Sequence, residues 1–409
     1  MPTLFQINVV CNSGSTGRIA EDIGELVQEN GWKSYIAFGR WSNSSSSVLY
    51  KIGKRIDLLT HVLYTRLFDK HGFASKRSTR ELIKVIEQVN PDIIHLHNIH
   101  GYYLNIEILF DYLSVSGIPV VWTLHDCWAM TGHCVHFQDI GCERWMKGCK
   151  NCPNKHGYPA SLLKDRSKKN YLQKKALFTS VRNLTVVSVC HWLNGIVGQS
   201  FLRSAKRKVI VNGIDLTVFT PRFQREEIRV KMKLDSFFVI LVVATGWNRT
   251  KGLDDIYKLR DLLSQHEVIV VVGLTKQQIK RLPSGIVGIE RTENVHQLAD
   301  LYSMTDVFIN PTYQDTLPTV NIESLACGTP VVTYNTGGSA NIVSQDTGFV
   351  VERGDLNSML TSIFQIKQKG KVHYEAACRQ RAVMYFDKKN RYVDYLKLYE
   401  QLISKNNII

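Results

Sequence analysis

No apolar run in this chain approaches membrane-spanning length. The longest, Phe237 to Ala244 and Val268 to Val272, are strand-sized, whereas a spanning helix needs about 20 apolar residues. A basic leader is also missing: MPTLFQINVV enters a strand-like run directly, which reads as a protein without an export signal. There is no internal repeat or low-complexity tract. The aromatics are scattered and no helix-turn-helix, RNA-recognition or zinc-finger pattern appears, which argues against nucleic acid as a partner. Nine cysteines, an odd number with no export signal, favour a reducing cytoplasm over a disulfide framework. Carboxylates are the scarcer charge: 36 Asp and Glu face 51 Lys and Arg, a formal net charge of +15.

That basic excess is concentrated in the first half. Residues 51–84 carry nine Lys and Arg against three acids, and residues 147–182 carry ten against one. Within the first run, Leu58, Leu59, Val62, Leu63 and Leu67 recur at helical spacing among Lys54, Arg55, Arg66 and Lys70. Such a pattern suits a basic amphipathic helix lying on an anionic membrane surface. A surface helix packing its apolar stripe on its own domain fits equally well.

At 409 residues and 44% apolar content, the chain is long enough for two cores. Strand and helix signals alternate throughout, as in parallel sheets covered on both faces. Phe5–Val10, Asp92–His97, Val120–Leu124 and Leu184–Val189 read as strands of a first unit, with a helix over Ile19–Asn30. Phe238–Thr245, Glu267–Val272, Gly285–Ile289, Asp306–Asn310 and Val331–Tyr334 read as strands of a second, and a polar helix runs from about Arg391 to Lys405. Ligands of open α/β sheets bind beyond the carboxyl ends of strands, so the following loops carry the candidates.

The most informative of these loops opens NPTYQDTLPTVNIESLACGTPVVTYNTGGSAN, residues 310–341. A buried strand runs into a loop holding Asp315, Pro318 suits a helix start, and Gly328-Thr329-Pro330 ends the helix. Glu323 then stands within the first turns. Open amides at the helix start attract anions, and a carboxylate at each end of a ligand resting there suits a nucleotide sugar. The bland alternative is a turn aspartate and a solvated helix glutamate.

This stretch resembles the E-x7-E motif of retaining glycosyltransferases of family 4, with Asp315 in place of the first glutamate. The resemblance covers nearly the whole chain and implies an α/β architecture of two Rossmann-like domains facing a cleft, the GT-B fold. It implies that Asp315 contacts donor-sugar hydroxyls and Glu323 the nucleotide ribose, with Thr316, Leu317, Pro318 and Thr319 lining the donor site between them. Boundaries follow: an acceptor-side domain over 1–208, a linker over 209–222 (VIVNGIDLTVFTPR resembles the family's interdomain segment), a nucleotide-sugar domain over 223–385, and a helix over 386–409 crossing back to the first domain.

Other loops extend the match. NSGSTGR, residues 12–18, resembles the family's glycine-rich loop, where Gly14 and Gly17 let backbone amides approach the donor. His125 ends a strand in VVWTLHDCW, where relatives carry a histidine contacting the donor sugar. In HLHNIHGYY, His97 and Asn98 are expected to line the acceptor side, while His95 alternates into the sheet; no carboxylate sits among His95, His97 and His100 to suggest a metal. In GWNRTKG, Lys251 matches the lysine placed on the donor diphosphate. Gly246 occupies the position of the usual arginine, leaving Arg249 to supply a second positive charge. Thr292 to Val295 resembles the loop near the nucleotide base. The catalytic set is therefore His125, Lys251, Asp315 and Glu323, working without a catalytic metal.

Cys134, Cys142, Cys149 and Cys152 bunch in HCVHFQDIGCERWMKGCKNCP. The terminal C-x2-C is metal-knuckle spacing, and four thiolates in a reducing compartment form closed structural zinc sites. Cys127, His133 and His136 are alternative ligands, and buried thiols packing with Trp128 and Trp145 are the bland reading. The segment resembles an insertion of capsule and exopolysaccharide glycosyltransferases of the colanic-acid type.

The combined expectation is a cytoplasmic enzyme, peripheral on the inner face of the cell membrane. It would move a sugar from a UDP- or GDP-sugar, with retention, to a lipid-linked or growing glycan of a bacterial surface polysaccharide such as exopolysaccharide, capsule or O-antigen. A nucleotide-sugar epimerase of the same fold would need acid/base groups about the sugar ring. A non-catalytic glycan- or membrane-binding module would tolerate Glu323→Gln.

Overall fold

The computed structural model describes residues 1–406; the last three residues of the segment 386–409 lie outside it. The chain divides into two compact units, one formed by residues 1–210 and by the chain from Tyr392 on, the other by residues 211–391.

In the first unit seven strands, β1 (Thr3–Asn8), β2 (Lys33–Phe38), β3 (Val48–Lys51), β4 (Ile93–Leu96), β5 (Val120–Leu124), β6 (Leu184–Ser188) and β7 (Lys206–Val209), form one parallel sheet. Its order is β3-β2-β1-β4-β5-β6-β7. The central strands are buried along their whole length, because a parallel sheet covered by helices on both faces has no wet side. The edge strand β7, read from Lys-Arg-Lys-Val, is exposed over its first three residues.

The second unit repeats the plan with β8 (Phe238–Val243), β9 (Glu267–Val272), β10 (Ile286–Ile289), β11 (Val307–Asn310), β12 (Val331–Tyr334) and β13 (Gly348–Val351), all parallel, in the order β10-β9-β8-β11-β12-β13. Both sheets are doubly wound. In each, strand order reverses between the first strand and its fourth, β1/β4 and β8/β11, and the loops leaving those strands diverge to leave a crevice for ligands.

The last helix, Lys388–Asn406, closes the core of the first unit. Tyr392, Tyr395, Leu396 and Tyr399 join Leu4, Ile23, Val27, Ile93 and Val121 in one buried cluster. Two of the tyrosine hydroxyls are bonded into the sheet: Tyr399 Oη lies 2.7 Å from His95 Nδ1, and Tyr395 Oη 3.0 Å from Thr123 Oγ1. His95 is thereby held inside the sheet. Residues 211–222 pack within the second unit, where the Arg379 guanidinium donates to the carbonyls of Phe219 at 2.7 Å and Leu216 at 3.2 Å.

Candidate active site

In the second unit the site grows from the loop after β8. Trp247 is buried, its indole N–H donating to Val272 O at 2.8 Å. Asn248 caps the short turn Arg249–Lys251 by accepting from Lys251 N at 3.1 Å. The turn ends at Gly252 with φ +78°, where a Cβ would stand 2.2 Å from Pro311 O. Only glycine lets the two backbones come so close. Thr250 O then accepts from Tyr313 N at 2.8 Å, so the lysine turn and the loop leaving β11 are fastened together across the switch point.

That loop is held from its far side by Thr336-Gly337-Gly338. Thr336 Oγ1 donates to Thr312 O at 2.9 Å and Gly338 N to Thr316 O at 2.8 Å. Gly337, at φ +54°, passes so near that a Cβ would lie 1.9 Å from Asp315 O. Below, Asp255 accepts from the hydroxyls of Tyr313 at 2.7 Å and Tyr334 at 2.8 Å. Burial and the bond to Asp255 push the Tyr313 hydroxyl up to about 12, so it stays a donor.

These restraints bring Lys251 Nζ to 2.8 Å from Asp315 Oδ2, with the side chains a third and a quarter exposed. Pro318 is the residue before the helix Thr319–Ala326, which has no side-chain N-cap bond. Its first amides are therefore open to an anion. Thr316, Leu317 and Pro318 are buried, so of the loop's donor-site candidates only Asp315 and Thr319 bring side chains toward the surface. Glu323, on the helix, accepts from the buried Tyr302 hydroxyl at 3.1 Å. Burial first and the neighbouring Glu323 second hold that hydroxyl well above its usual range, which keeps it protonated and donating. Arg249 is exposed on the same turn as Lys251.

The first unit holds the remaining candidates. NSGSTGR is not a loop preceding a helix at Ile19: the helix spans Gly14–Glu29, so Gly14 and Gly17 lie in its first turn. Gly14 has φ +61°, and Gly17 is buried with Val10 Cγ2 3.0 Å from where a Cβ would be. The low helix propensity of glycine hid this start. Ser13 makes no side-chain cap bond, leaving the leading amides unshielded.

His125 Nε2 lies 3.3 Å from His97 Nδ1, and His97 Nε2 lies 3.0 Å from Gln6 Oε1. His97 is 1% exposed, which corrects the expectation that it lines a surface: it supports His125 from behind. Burial draws His125 down to about 4, outweighing the pull of Asp126, so the imidazole is neutral near pH 7. Asp126 itself accepts from Trp128 N at 2.8 Å and lies 2.7 Å from His100 Nε2. Burial pushes its carboxyl up, but His100 and the hydrogen bonds bring it down to about 2. The partners Tyr302 and Asp255 were not singled out from sequence, and His100 was read only as part of a histidine cluster, not as the partner of Asp126. Each acts through a contact distant along the chain, and no local motif marks them.

All nine cysteines are free thiols. Cys134, Cys142, Cys149 and Cys152 line one small cavity, yet among the described residues no group of three or more His, Cys, Asp or Glu is gathered as metal ligands. The four cysteines are thus not arranged as the expected zinc centre. Among the described residues no helix is long and apolar enough to cross a membrane.

Residues 238–368 match the family model described as glycosyl transferases group 1, and residues 16–218 match that of glycosyltransferase family 4. The chain is a glycosyltransferase. Over 374 residues this glycosyltransferase is 23% identical to the Escherichia coli K12 protein assigned to colanic acid biosynthesis as glycosyl transferase WcaC, covering 86% of this chain and 88% of that protein. Its fold matches sucrose-phosphate synthase of Thermosynechococcus elongatus with a TM-score of 0.72 at 16% identity, over 99% of this chain and 100% of the other. It also matches Anabaena HepE in complex with UDP, with a TM-score of 0.69 at 14% identity over 98% and 100% of the two chains. HepE has also been solved with UDP-glucose. The glycosyltransferase has the GT-B fold, with two parallel-sheet α/β domains, as its sequence motifs imply.

Proposed function

We propose that the enzyme transfers a sugar from a UDP- or GDP-sugar, with retention of anomeric configuration, to a lipid-linked or growing glycan in bacterial surface polysaccharide assembly. The observation that carries this is the Lys251–Asp315 pair at the β8/β11 switch point, 2.8 Å long and still partly open to solvent. A diphosphate competes with Asp315 for the ammonium, and the open amides of the helix from Thr319 add positive potential. Once Lys251 turns to the diphosphate, the Asp315 carboxylate accepts from donor-sugar hydroxyls, and Glu323, oriented by Tyr302, accepts from the ribose.

The anomeric carbon–oxygen bond to the diphosphate breaks while a bond to an acceptor hydroxyl forms on the same face. The hydroxyl proton passes to a departing phosphate oxygen. Lys251 and Arg249 stabilise the charge that develops there, and neutral His125 is suited to a sugar hydroxyl. The similarity to WcaC, assigned to colanic acid biosynthesis, and the UDP and UDP-glucose complexes of HepE support the pathway and donor class.

Association with the inner face of the cell membrane has its own support. The helix Arg55–Phe68 buries His61 and Thr65 and leaves Ile56, Leu59, Leu63, Tyr64 and Phe68 exposed. Leu162 and Leu163 add to this patch through the Leu162 N–Arg66 O bond of 2.7 Å, and Lys70 and Lys164 sit over Tyr64 and Phe68. Apolar side chains framed by cations suit an anionic lipid surface. The test is transfer from labelled UDP- and GDP-sugars to lipid-linked acceptors, with product configuration read by NMR. No transfer and no donor hydrolysis by the folded protein overturns the reading.

A further inference from the structure

A neutral imidazole carries one proton on two nitrogens, and its placement decides whether a given nitrogen donates or accepts. For His125 that placement follows from a buried chain of contacts beginning on β1. Gln6, with no exposed surface, donates from Nε2 to Ala20 O at 2.8 Å. This bond fixes the amide, because the flipped side chain would set Oε1 against a carbonyl oxygen. Oε1 therefore faces His97 Nε2 at 3.0 Å. Being only an acceptor, it requires the proton of His97 to sit on that nitrogen. Burial, with His95 and His125 close by, keeps His97 neutral, so its Nδ1 bears a lone pair. That lone pair meets His125 Nε2 at 3.3 Å, with the two ring planes 19° apart, as an in-plane hydrogen bond requires. Backbone bonds hold His97 in place on both sides: its N–H donates to Ile7 O at 2.9 Å and its carbonyl accepts from Trp122 Nε1 at 3.1 Å.

We propose that Gln6 and His97 are positioning residues that lock His125 as the Nε2–H tautomer, so that its Nδ1 accepts a hydrogen bond from a hydroxyl or amide N–H of the donor sugar. This rests on the reading above that His125 meets that sugar. His125 is partly exposed, whereas Gln6 and His97 are buried, so the two act on the ligand only through the ring they hold. The lock has a consequence for specificity. A ring free to choose its tautomer could serve a protonated or an unprotonated sugar oxygen, but the locked ring rewards only a group that brings a proton of its own. Gln6 was hidden in the sequence because it interrupts an otherwise apolar strand, Thr-Leu-Phe-Gln-Ile-Asn, and its partner His97 stands 91 positions away.

The test is long-range proton–nitrogen correlation NMR of the full chain labelled with nitrogen-15 in histidine, at neutral pH, with the His125 signals identified by their loss in His125→Gln. The expected spectrum shows His125 Nε2 protonated and Nδ1 as an unprotonated, pyridine-type nitrogen. His97→Phe removes the acceptor and should release the tautomer, moving both shifts toward the average, with kcat/KM for donor hydrolysis falling about two- to tenfold. His97→Asn, whose Oδ1 takes the place of the ring Nδ1, should restore both. A wild-type His125 that is protonated on Nδ1 or divided between tautomers overturns the proposal, as does a folded His97→Phe enzyme that keeps the wild-type shifts and rate. The wild-type spectrum decides the question even where His97→Phe fails to fold. Failure of the transferase reading shows separately, as wild-type protein that hydrolyses no donor, because the nitrogen shifts are read on the ligand-free enzyme.

Discussion

Replacing Lys251 by alanine should separate catalysis from stability. Its ion pair with Asp315 is partly exposed, so the pair contributes about 0–1 kcal/mol to folding, or at most roughly 2–4 °C in Tm for a domain of this size. The turn that carries it is held by Asn248, Gly252 and Thr250 through contacts that do not involve the ammonium, so the backbone should keep its course. Losing a preorganised charge on a leaving group is far more costly, about 2.7–4 kcal/mol or roughly 10²–10³ in kcat. Initial rates of sugar transfer or donor hydrolysis, measured beside thermal melts, give both quantities. Asp315→Asn should show the complementary pattern: nucleoside diphosphate binding held or tightened, because the competing carboxylate is gone, with turnover reduced. A Lys251→Ala enzyme that melts like wild type and retains its rate would show that the ammonium has no part in leaving-group departure.

Gly252→Ala should lose activity and about 1–3 kcal/mol of stability, since its Cβ meets Pro311 O; chemical denaturation with an activity assay checks this. The first unit should weaken in mild acid. His125 and His61 have folded pKa values depressed to about 4 and about 3 from 6.5, so the unfolded chain binds more protons as pH falls from about 6.5 toward 4, and stability falls with it. Asp126, depressed from 3.8 to about 2, adds stability that is lost only at still lower pH. Melting temperature against pH, with His125→Gln flattening part of the slope, is the check. Leu59→Gln with Leu63→Gln should reduce co-sedimentation with phosphatidylglycerol vesicles several-fold while leaving the melt within about 0.5 kcal/mol of wild type, as for exposed positions.

Much of the fold was legible because buried parallel strands are written as continuous apolar runs: β5, β8 and β9 read directly from Val-Val-Trp-Thr-Leu, Phe-Val-Ile-Leu-Val-Val and Glu-Val-Ile-Val-Val-Val. The edge strands β3 and β7 were not, since exposure removes the apolar signal and Lys-Arg-Lys-Val looks like a charged loop. The helix Arg55–Phe68 showed its period but not its orientation; that it buries His61 and Thr65 rather than its leucines is set by His61 bonding to Ser75 Oγ and Gly72 N. The flanking Thr-Gly-Gly and Gly-Thr-Pro pointed to the donor loop, and the structure supplies the reason in the close approach of Gly337 to Asp315. The Tyr302–Glu323 and Asp255–Tyr313 bonds join residues 21 and 58 positions apart, beyond the reach of any spacing rule.

Donor binding at the Lys251–Asp315 loop is read out by a panel of UDP-, GDP-, ADP- and CDP-sugars, followed by thermal stabilisation and hydrolysis, with wild type beside Glu323→Gln and Lys251→Ala. One nucleotide class should stabilise the wild type and be hydrolysed slowly, with both effects lost or strongly weakened in the two variants. A folded wild type that binds none of them, or variants that bind and hydrolyse as it does, would contradict donor binding at this loop.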